Sequence, residues 1–236
     1  WARESKQVTI IIVAIFSLSI WLFLLLFWGN FWRADCLLDK SQGLNDYPTV
    51  CAVVPARNEA EVIAASLTSL LNQDYAGQFS VVLVDDNSGD YTTEIALQTA
   101  AQLGKSDRLT VIAGKPLVTG WKGKLWAMHQ GIESVSIPAN TPDYWLFTDA
   151  DIQHDLHNLT QLVTKAETED LDLVSLMVLL RCQSFWEKLL IPAFVFFFQK
   201  LYPFAWVNNP AKSMAAAAGG CVLISNEALT KIGGIA

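Results

Sequence analysis

From Val8 to Trp32 the chain runs for about 25 residues without a charged side chain, rich in Ile, Leu, Phe and Trp. As a helix rising 1.5 Å per residue, such a run is long enough to cross a ~30 Å hydrocarbon core. It predicts a transmembrane helix. The other reading, a helix buried in a protein core, fits less well because the run is apolar on every face. A cleaved signal peptide has a shorter apolar stretch and a small-residue cleavage site, whereas Phe27, Trp28, Phe31 and Trp32 predict an aromatic belt at a membrane interface. Arg3 and Lys6 precede the run and Arg33 and Lys40 follow it, so flanking charge does not orient it.

With 236 residues, 52% of them hydrophobic, the chain has room for one sizeable domain besides this helix. The formal net charge is −7 and the 16 Lys and Arg residues are scattered, which argues against a nucleic-acid partner. Cys36, Cys51, Cys182 and Cys221 are far apart and form no CxxC pair, so they read as reduced, mostly buried thiols rather than a zinc site or disulfide framework. The chain starts at Trp1, and Gly233-Gly234-Ile235-Ala236 breaks off within a helix-like pattern, so both ends are expected to be trimmed.

After a polar linker, Asp39 to Pro48, short apolar runs alternate with helical periodicity. Thr49 to Val54 and Phe79 to Val84 read as buried strands, and between them Val62, Ile63, Leu67, Leu70 and Leu71 share one helix face. Leu109 to Ala113 predicts a third strand, Lys124 to Ser134 a helix, and Tyr144 to Thr148 a fourth strand. Leu156, Leu159, Leu162, Val163 and Ala166 stripe a further helix, and Leu171 to Leu180 reads as another strand. This alternation predicts an α/β domain with a largely parallel sheet, whose ligands bind at the carboxyl ends of the strands. Phe185 to Trp206 stands apart: its charge-free core is too short to span a bilayer, and it reads either as an element at the membrane interface or as a core helix, with Pro192 weighing against a single straight helix.

Polar clusters fall where strands end. Pro55-Ala56-Arg57-Asn58-Glu59 closes the first, with Asn58 placed to cap the next helix and Glu59 suited to its positive N-terminus. Val84 to Asp90 closes the second with Asp85 and Asp86, in a stretch that is also an ordinary turn sequence. Asp149-Ala150-Asp151-Ile152-Gln153 closes the fourth. In an extended segment alternate residues share a face, so Asp149, Asp151 and Gln153 could meet one hard cation such as Mg²⁺ or Mn²⁺.

Together these stretches resemble the family-2 glycosyltransferases of the GT-A fold. The family's Pro-x-x-Asn-Glu is like Pro55 to Glu59, and its Val-Asp-Asp-x-Ser-x-Asp is like Val84 to Asp90. Its Gly-Lys-x-x-Ala-x-x-x-Gly is like Gly123, Lys124, Ala127 and Gly131, and its Asp-x-Asp is Asp149 and Asp151. Asp149 to His154 is similar to the metal segment of dolichol-phosphate-mannose synthases, which makes Gln153 a candidate ligand. With the N-terminal helix, the whole resembles ceramide glucosyltransferases and, more closely, bacterial hopanoid-associated glycosyltransferases.

The apolar run with its flanks gives an anchor over 1–40, the resemblance implies a GT-A domain over 48–236, and within it 184–207 is expected as a membrane-interface segment, with a core helix as the other reading. The resemblance also implies a donor site of Pro55, Glu59, Asp85, Asp86, Lys124, Asp149 and Gly220, in which Asp86 reads the base and Lys124 meets the diphosphate. Lys124 also reads as a solvated lysine at a helix start. Gly219-Gly220 would leave room at the sugar, and His129, His154 and His157 are expected to be structural or surface residues. The catalytic base of the family lies in an acidic motif after a Gly-Gly like Gly233-Gly234, so it is expected beyond Ala236. The implied activity is inverting transfer of a sugar from a nucleotide sugar to a lipid, such as a hopanoid, at the cytoplasmic face of a bacterial inner membrane. The alternatives are a polysaccharide synthase, a membrane-tethered binding or scaffold protein without turnover, and a nucleotidyltransferase.

Overall fold

Strands that are apolar on both faces need helices above and below them. The computed structural model describes residues 2–38, 43–135 and 141–235 and meets this need with one six-stranded sheet between two helical layers. Trp1, Asp39, Lys40 and Ala236, on which parts of the expected anchor, linker and chain end fall, lie outside the described residues. In chain order the elements are α1 (Ala2–Phe27), β1 (Val50–Ala56), α2 (Ile63–Leu71), β2 (Phe79–Asp85), α3 (Thr92–Gln102), β3 (Leu109–Ala113), α4 (Gly123–Val135), β4 (Tyr144–Thr148), α5 (Asn158–Glu169), β5 (Leu173–Leu176), α6 (Phe185–Leu201), α7 (Phe204–Val207), β6 (Cys221–Ser225) and α8 (Asn226–Lys231). They fall into two compact units, Trp1–Leu37 with Leu179–Ala216, and Leu38–Val178 with Ala217–Ala236.

In the larger unit the strand order is β3-β2-β1-β4-β6-β5. β3, β2, β1 and β4 are parallel, while β6 runs antiparallel between β4 and β5. The sheet is therefore mixed. The period of two along each strand sorts the core: Val50, Ala52 and Val54 of β1 pack with Leu67 of α2 and Leu162 of α5, whereas Cys51 and Val53 pack with Ala127 and Met128 of α4. At Gly131 a Cβ would collide with the Val53 side chain, so this glycine is what lets α4 lie against β1 and β2. Trp145 is fully buried and its indole N–H donates to Asn226 Oδ1 at 3.0 Å, which satisfies its polar edge.

β3 and β4 occupy the residues expected of them, and β1 and β2 reach Ala56 and Asp85. Other expectations need correction. The strand expected over Leu171 to Leu180 is only Leu173–Leu176, since Leu179 and Leu180 are exposed and have no strand to pair with. α3 has no counterpart among the expected helices, because its buried face is made of Thr92, Ala96, Thr99 and Ala100 and gives no strong apolar stripe. Cys36 and Cys182 are exposed, leaving Cys51 and Cys221 as the buried thiols.

In the smaller unit α1 stops at Phe27, five residues short of the apolar run, because Gly29 (φ 57°) and Asn30 (φ 49°) are left-handed and break the helix. Phe31 is buried against Phe196, with ring centroids 5.2 Å apart, and so is not part of an exposed belt. α6 continues through Pro192 as one helix. It starts at a capping box in which Ser184 Oγ accepts the Glu187 N–H and the Glu187 carboxylate accepts the Ser184 N–H. Among the described residues, two segments could cross a membrane by length and composition, Glu4–Phe27 with mean hydropathy 3.0 and Phe185–Val207 with 1.4.

His154, on the turn after β4, is a structural residue of the sheet unit. Asn158 Nδ2 lies 2.9 Å from its Nδ1 and Thr148 Oγ1 3.0 Å from its Nε2, a pattern that suits the neutral ring protonated at Nε2. Burial holds its pKa down to about 4 from the usual 6.5. An unfolded chain takes up this proton near pH 6.5 and the folded one only near 4, so stability is intact above pH 6.5 and falls as pH drops through that window, by up to about 3 kcal/mol. Denaturation of the solubilised protein at pH 7 and pH 5 should show this loss, and His154→Gln should show less of it. An equal loss in both would place the acid sensitivity elsewhere.

Candidate functional site

β1 pairs in parallel with β2 on one side and β4 on the other, so the chain leaves the same edge of the sheet at three neighbouring positions. β1, β2 and β4 are followed by α2, α3 and α5, which pack in one helical layer, while α4 lies in the other, and a crevice opens at the carboxyl ends of these strands beside the start of α4. The crevice has a volume of about 450 Å³, and its walls come from the ends of β1, β2 and β4 and the first turn of α4.

The loop after β1 is tied to the loop after β2. Asn58 is left-handed (φ 56°); its Oδ1 accepts the Gly89 N–H at 2.7 Å and its own N–H donates to Ser88 Oγ at 3.0 Å. It does not cap α2, whose N-cap position is Val62 without a side-chain bond. The Glu59 N–H donates to Thr92 Oγ1 and the Ala60 N–H to Asp90 Oδ2. Asp90 is held below the usual carboxylate range first by the Thr92 hydroxyl and then by backbone N–H groups. Asp85 is likewise engaged in the loop, accepting from the Ser88 N–H and the Thr93 hydroxyl, both at 3.1 Å, and is not part of the cleft wall. Of this acidic run, Asp86 is the residue that lines the cleft, with Arg57 Nη1 3.5 Å from its Oδ2.

Opposite it, α4 begins at Gly123 and Lys124, and both line the cleft with Ala127. Lys124 Nζ is ion-paired with Asp149 Oδ1 and lies 3.4 Å from the Gly219 carbonyl. The Asp149 N–H donates to the Gly220 carbonyl at 3.2 Å, which ties the end of β4 to the start of β6. Asp149 and Asp151 both line the cleft, whereas Gln153, exposed on the turn beyond, does not. At Gly220 a Cβ would come within 3.1 Å of Ile152 and 3.2 Å of Val178, so the missing side chain makes room for these neighbours and Gly220 is not a wall residue.

Glu59 joins this cleft, which thereby holds four carboxylates, Glu59, Asp86, Asp149 and Asp151, against two cations, Arg57 and Lys124. The imbalance is felt at Glu59, whose carboxyl is raised by burial first and then by Asp151, Asp90 and Asp149. Surplus negative charge and hard oxygen donors suit a divalent cation such as Mg²⁺ or Mn²⁺. Among the described residues no group of three His, Cys, Asp or Glu side chains converges to hold one unaided. Asp149 and Asp151 are two carboxylates on one wall of the cleft, and a Mg²⁺ site with so few protein ligands is one completed by phosphate and water. Of the expected donor residues, the structure thus brings Pro55, Glu59, Asp86, Lys124 and Asp149 to the cleft and leaves Asp85 and Gly220 outside; of the expected metal residues, Asp149 and Asp151 line it and Gln153 does not. Arg57 was not among those expected; its only signal was its place at a strand end, between Ala56 and Asn58.

The family model of Glycosyl transferase family 2 matches residues 51–233. The β-monoglucosyldiacylglycerol synthase of Trichormus variabilis is 31% identical over 144 residues, 60% of this chain and 29% of that protein. The probable glycosyltransferase YdaM of Bacillus subtilis is 31% identical over 91 residues, 38% of this chain and 21% of that protein. This chain thus spans less than a third of the length of these curated relatives. Among solved structures, the mannosyltransferase PcManGT from Pyrobaculum calidifontis, in complex with GDP-Man and Mn²⁺, superposes with a TM-score of 0.60 at 23% identity, over 87% of this chain and 53% of that one. That likeness shows a shared GT-A-type fold. With its motif-bearing loops at one edge of this sheet and a family match across nearly the whole sheet unit, the chain belongs to glycosyl transferase family 2.

Proposed function

We propose that the cleft binds the nucleoside diphosphate of a sugar donor together with Mg²⁺ or Mn²⁺, and that the protein transfers the sugar, with inversion, to a lipid. The observation that carries this reading is the gathering of Asp86, Asp149 and Asp151 with Arg57 and Lys124 around one cleft in a family-2 chain. Asp86 reads the base, Pro55 and Glu59 wall the nucleoside, and Asp85 acts at one remove by holding the loop that carries Asp86. Asp149 and Asp151 hold the cation, which when bound supplies Lewis-acid neutralisation of the departing diphosphate.

Lys124 and Arg57 are the groups on this chain that can meet phosphate oxygens. Lys124 is half exposed, and an ion pair of that kind is worth no more than about 1 kcal/mol, so the ammonium exchanges Asp149 for a phosphate at little cost. No residue of this chain is assigned as the base that takes the acceptor's proton.

Three considerations support a lipid acceptor at a membrane. α1 is long and apolar enough to cross a bilayer. The Trichormus relative is a β-monoglucosyldiacylglycerol synthase, named for a glucosylated lipid. The sequence also resembles transferases that act on hopanoids. The proposal commits to the class, a membrane lipid hydroxyl, with a hopanoid as the member the resemblance favours. Residues 1–40 serve as the anchor and 48–236 carry the transferase domain. Nucleotide sugars are cytoplasmic metabolites, which supports a cleft on the cytoplasmic side of a bacterial inner membrane.

Calorimetric titration of the detergent-solubilised protein with UDP and with GDP, each with and without Mn²⁺, tests the reading. One nucleotide is expected to bind only with the metal, and Asp151→Ala to weaken that binding roughly tenfold or more. Binding that survives unchanged in both Asp149→Ala and Asp151→Ala defeats the metal assignment. Lys124→Met separates the two roles of the lysine: it should bind Mn²⁺ alone more tightly than the unaltered protein, because Asp149 is no longer occupied, and the nucleotide more weakly. A variant that binds both as before rejects the exchange.

A further inference from the structure

Outside α1, α6 carries a run of large apolar side chains that are exposed. Trp186, Leu190, Phe194 and Phe197 fall along one strip of the helix at 3.6 residues per turn, and all four are exposed. The opposite arc carries Glu187 and the half-buried Ile191, Val195 and Phe198. A water-soluble surface does not keep an aromatic strip of this size without an occupant.

Two facts decide the occupant and its geometry. The first is length. From Leu189 to Gln199 α6 is charge-free over about 16 Å, half of a ~30 Å hydrocarbon core, whereas α1 is charge-free from Gln7 to Phe27 over about 31 Å. A spanning α6 would have to bury Glu187, Lys188 or Lys200.

The second is the way α6 meets α1. α6 meets α1 and the turn that follows it through its C-terminal part, at the C-terminal end of α1. The Trp28 indole donates to the Lys200 carbonyl at 2.8 Å, Phe31 packs on Phe196, and the Lys200 ammonium lies 5.2 Å from the Trp21 ring centroid. Val8 to Ile20 of α1 are exposed along their whole length, so the two helices cross at one end and do not run side by side. Two packed spans would meet along their lengths; a helix that crosses the end of a span lies where that span leaves the bilayer. Tryptophan and lysine are the side chains suited to that depth.

We infer that α6 lies in the plane of the membrane, its Trp186–Leu190–Phe197 strip set into the boundary between headgroups and acyl chains, and is not a second transmembrane helix. This rests on the reading of α1 as the anchor. It gives the protein a second, shallow membrane contact in the segment that leaves the sheet unit after β5 and rejoins it at Ala217. There Ser175 Oγ accepts the Ala218 N–H at 2.7 Å.

The test is depth measurement by spin labels on the full chain in phosphatidylethanolamine–phosphatidylglycerol vesicles, comparing collision with oxygen and with a water-soluble nickel chelate. Single cysteines replace Trp186, Leu190 or Phe197 in α6, and Phe16 in α1 as the reference. Cys36 and Cys182 are changed to Ser; Cys51 and Cys221 stay, because burial raises both thiols to about 11 and keeps them unreactive. The expected result is one shallow depth for the three α6 sites, about 5–10 Å below the headgroup boundary, with Phe16 near the bilayer centre. Depths that differ by about 16 Å between Trp186 and Phe197 overturn the inference and make α6 a span. Aqueous values at all three α6 sites with Phe16 deep overturn it in favour of a protein occupant. An aqueous Phe16 overturns the anchor reading itself.

Discussion

β1 sits between β2 and β4, hydrogen-bonded in parallel to both, and each side chain in the cleft owes its place to that pairing. Parallel strands deliver their carboxyl ends to one edge, and Ala56 of β1 lies in register with Asp85 of β2 there. Without this, Asp86 and the pair Asp149 and Asp151 would be far apart, since more than sixty residues of chain separate them. The pairing depends in turn on cover from both faces, which is why Val53 is matched by a glycine in α4 and why Ala52 and Val54 meet the leucines of α2 and α5. The antiparallel β6 completes the edge by presenting the Gly220 carbonyl to the Asp149 N–H.

Once placed, the carboxylates repel one another. Two of the four are answered from within the protein, Asp86 by Arg57 and Asp149 by Lys124, and the Glu59 carboxyl is raised by burial first and then by the neighbouring carboxylates. Both answering cations are substantially exposed, so the pairs are weak and exchangeable. A site built in this way is held together without a ligand but remains short of positive charge. On the proposed function, a divalent cation and a diphosphate would meet this shortfall together, the cation at the carboxylates and the phosphates at Lys124 and Arg57.

Most of the sheet could be read from the sequence because strands buried on both faces are continuous apolar runs, and β3 and β4 were bounded to the residue. The reading faltered where burial uses small or polar groups. α3 buries Thr92, Ala96, Thr99 and Ala100, which give no stripe, and the end of the Leu171 to Leu180 run is apolar without being buried in the sheet. In the site, residue type identified the acidic segments but could not divide their tasks. Asp85 and Asp86 are adjacent, and only the left-handed turn at Asn87 and the hydroxyls of Thr93 and Thr92 decide that Asp85 and Asp90 brace loops while Asp86 faces the cleft. Gln153 shares the alternation of Asp149 and Asp151 in sequence, but the chain turns at Ile152, whose N–H bonds to the Asp149 carbonyl, so extended geometry does not reach it.

The central claim is that loops distant in sequence form one ligand site. Hydrogen–deuterium exchange of the solubilised protein, with and without a nucleoside diphosphate and Mn²⁺, tests it most directly. The account predicts that amides around 55–60, 85–90, 123–127 and 149–151 gain protection together, and only when nucleotide and metal are both present. Protection confined to one of these segments, or appearing away from the carboxyl edge of the sheet, would contradict it.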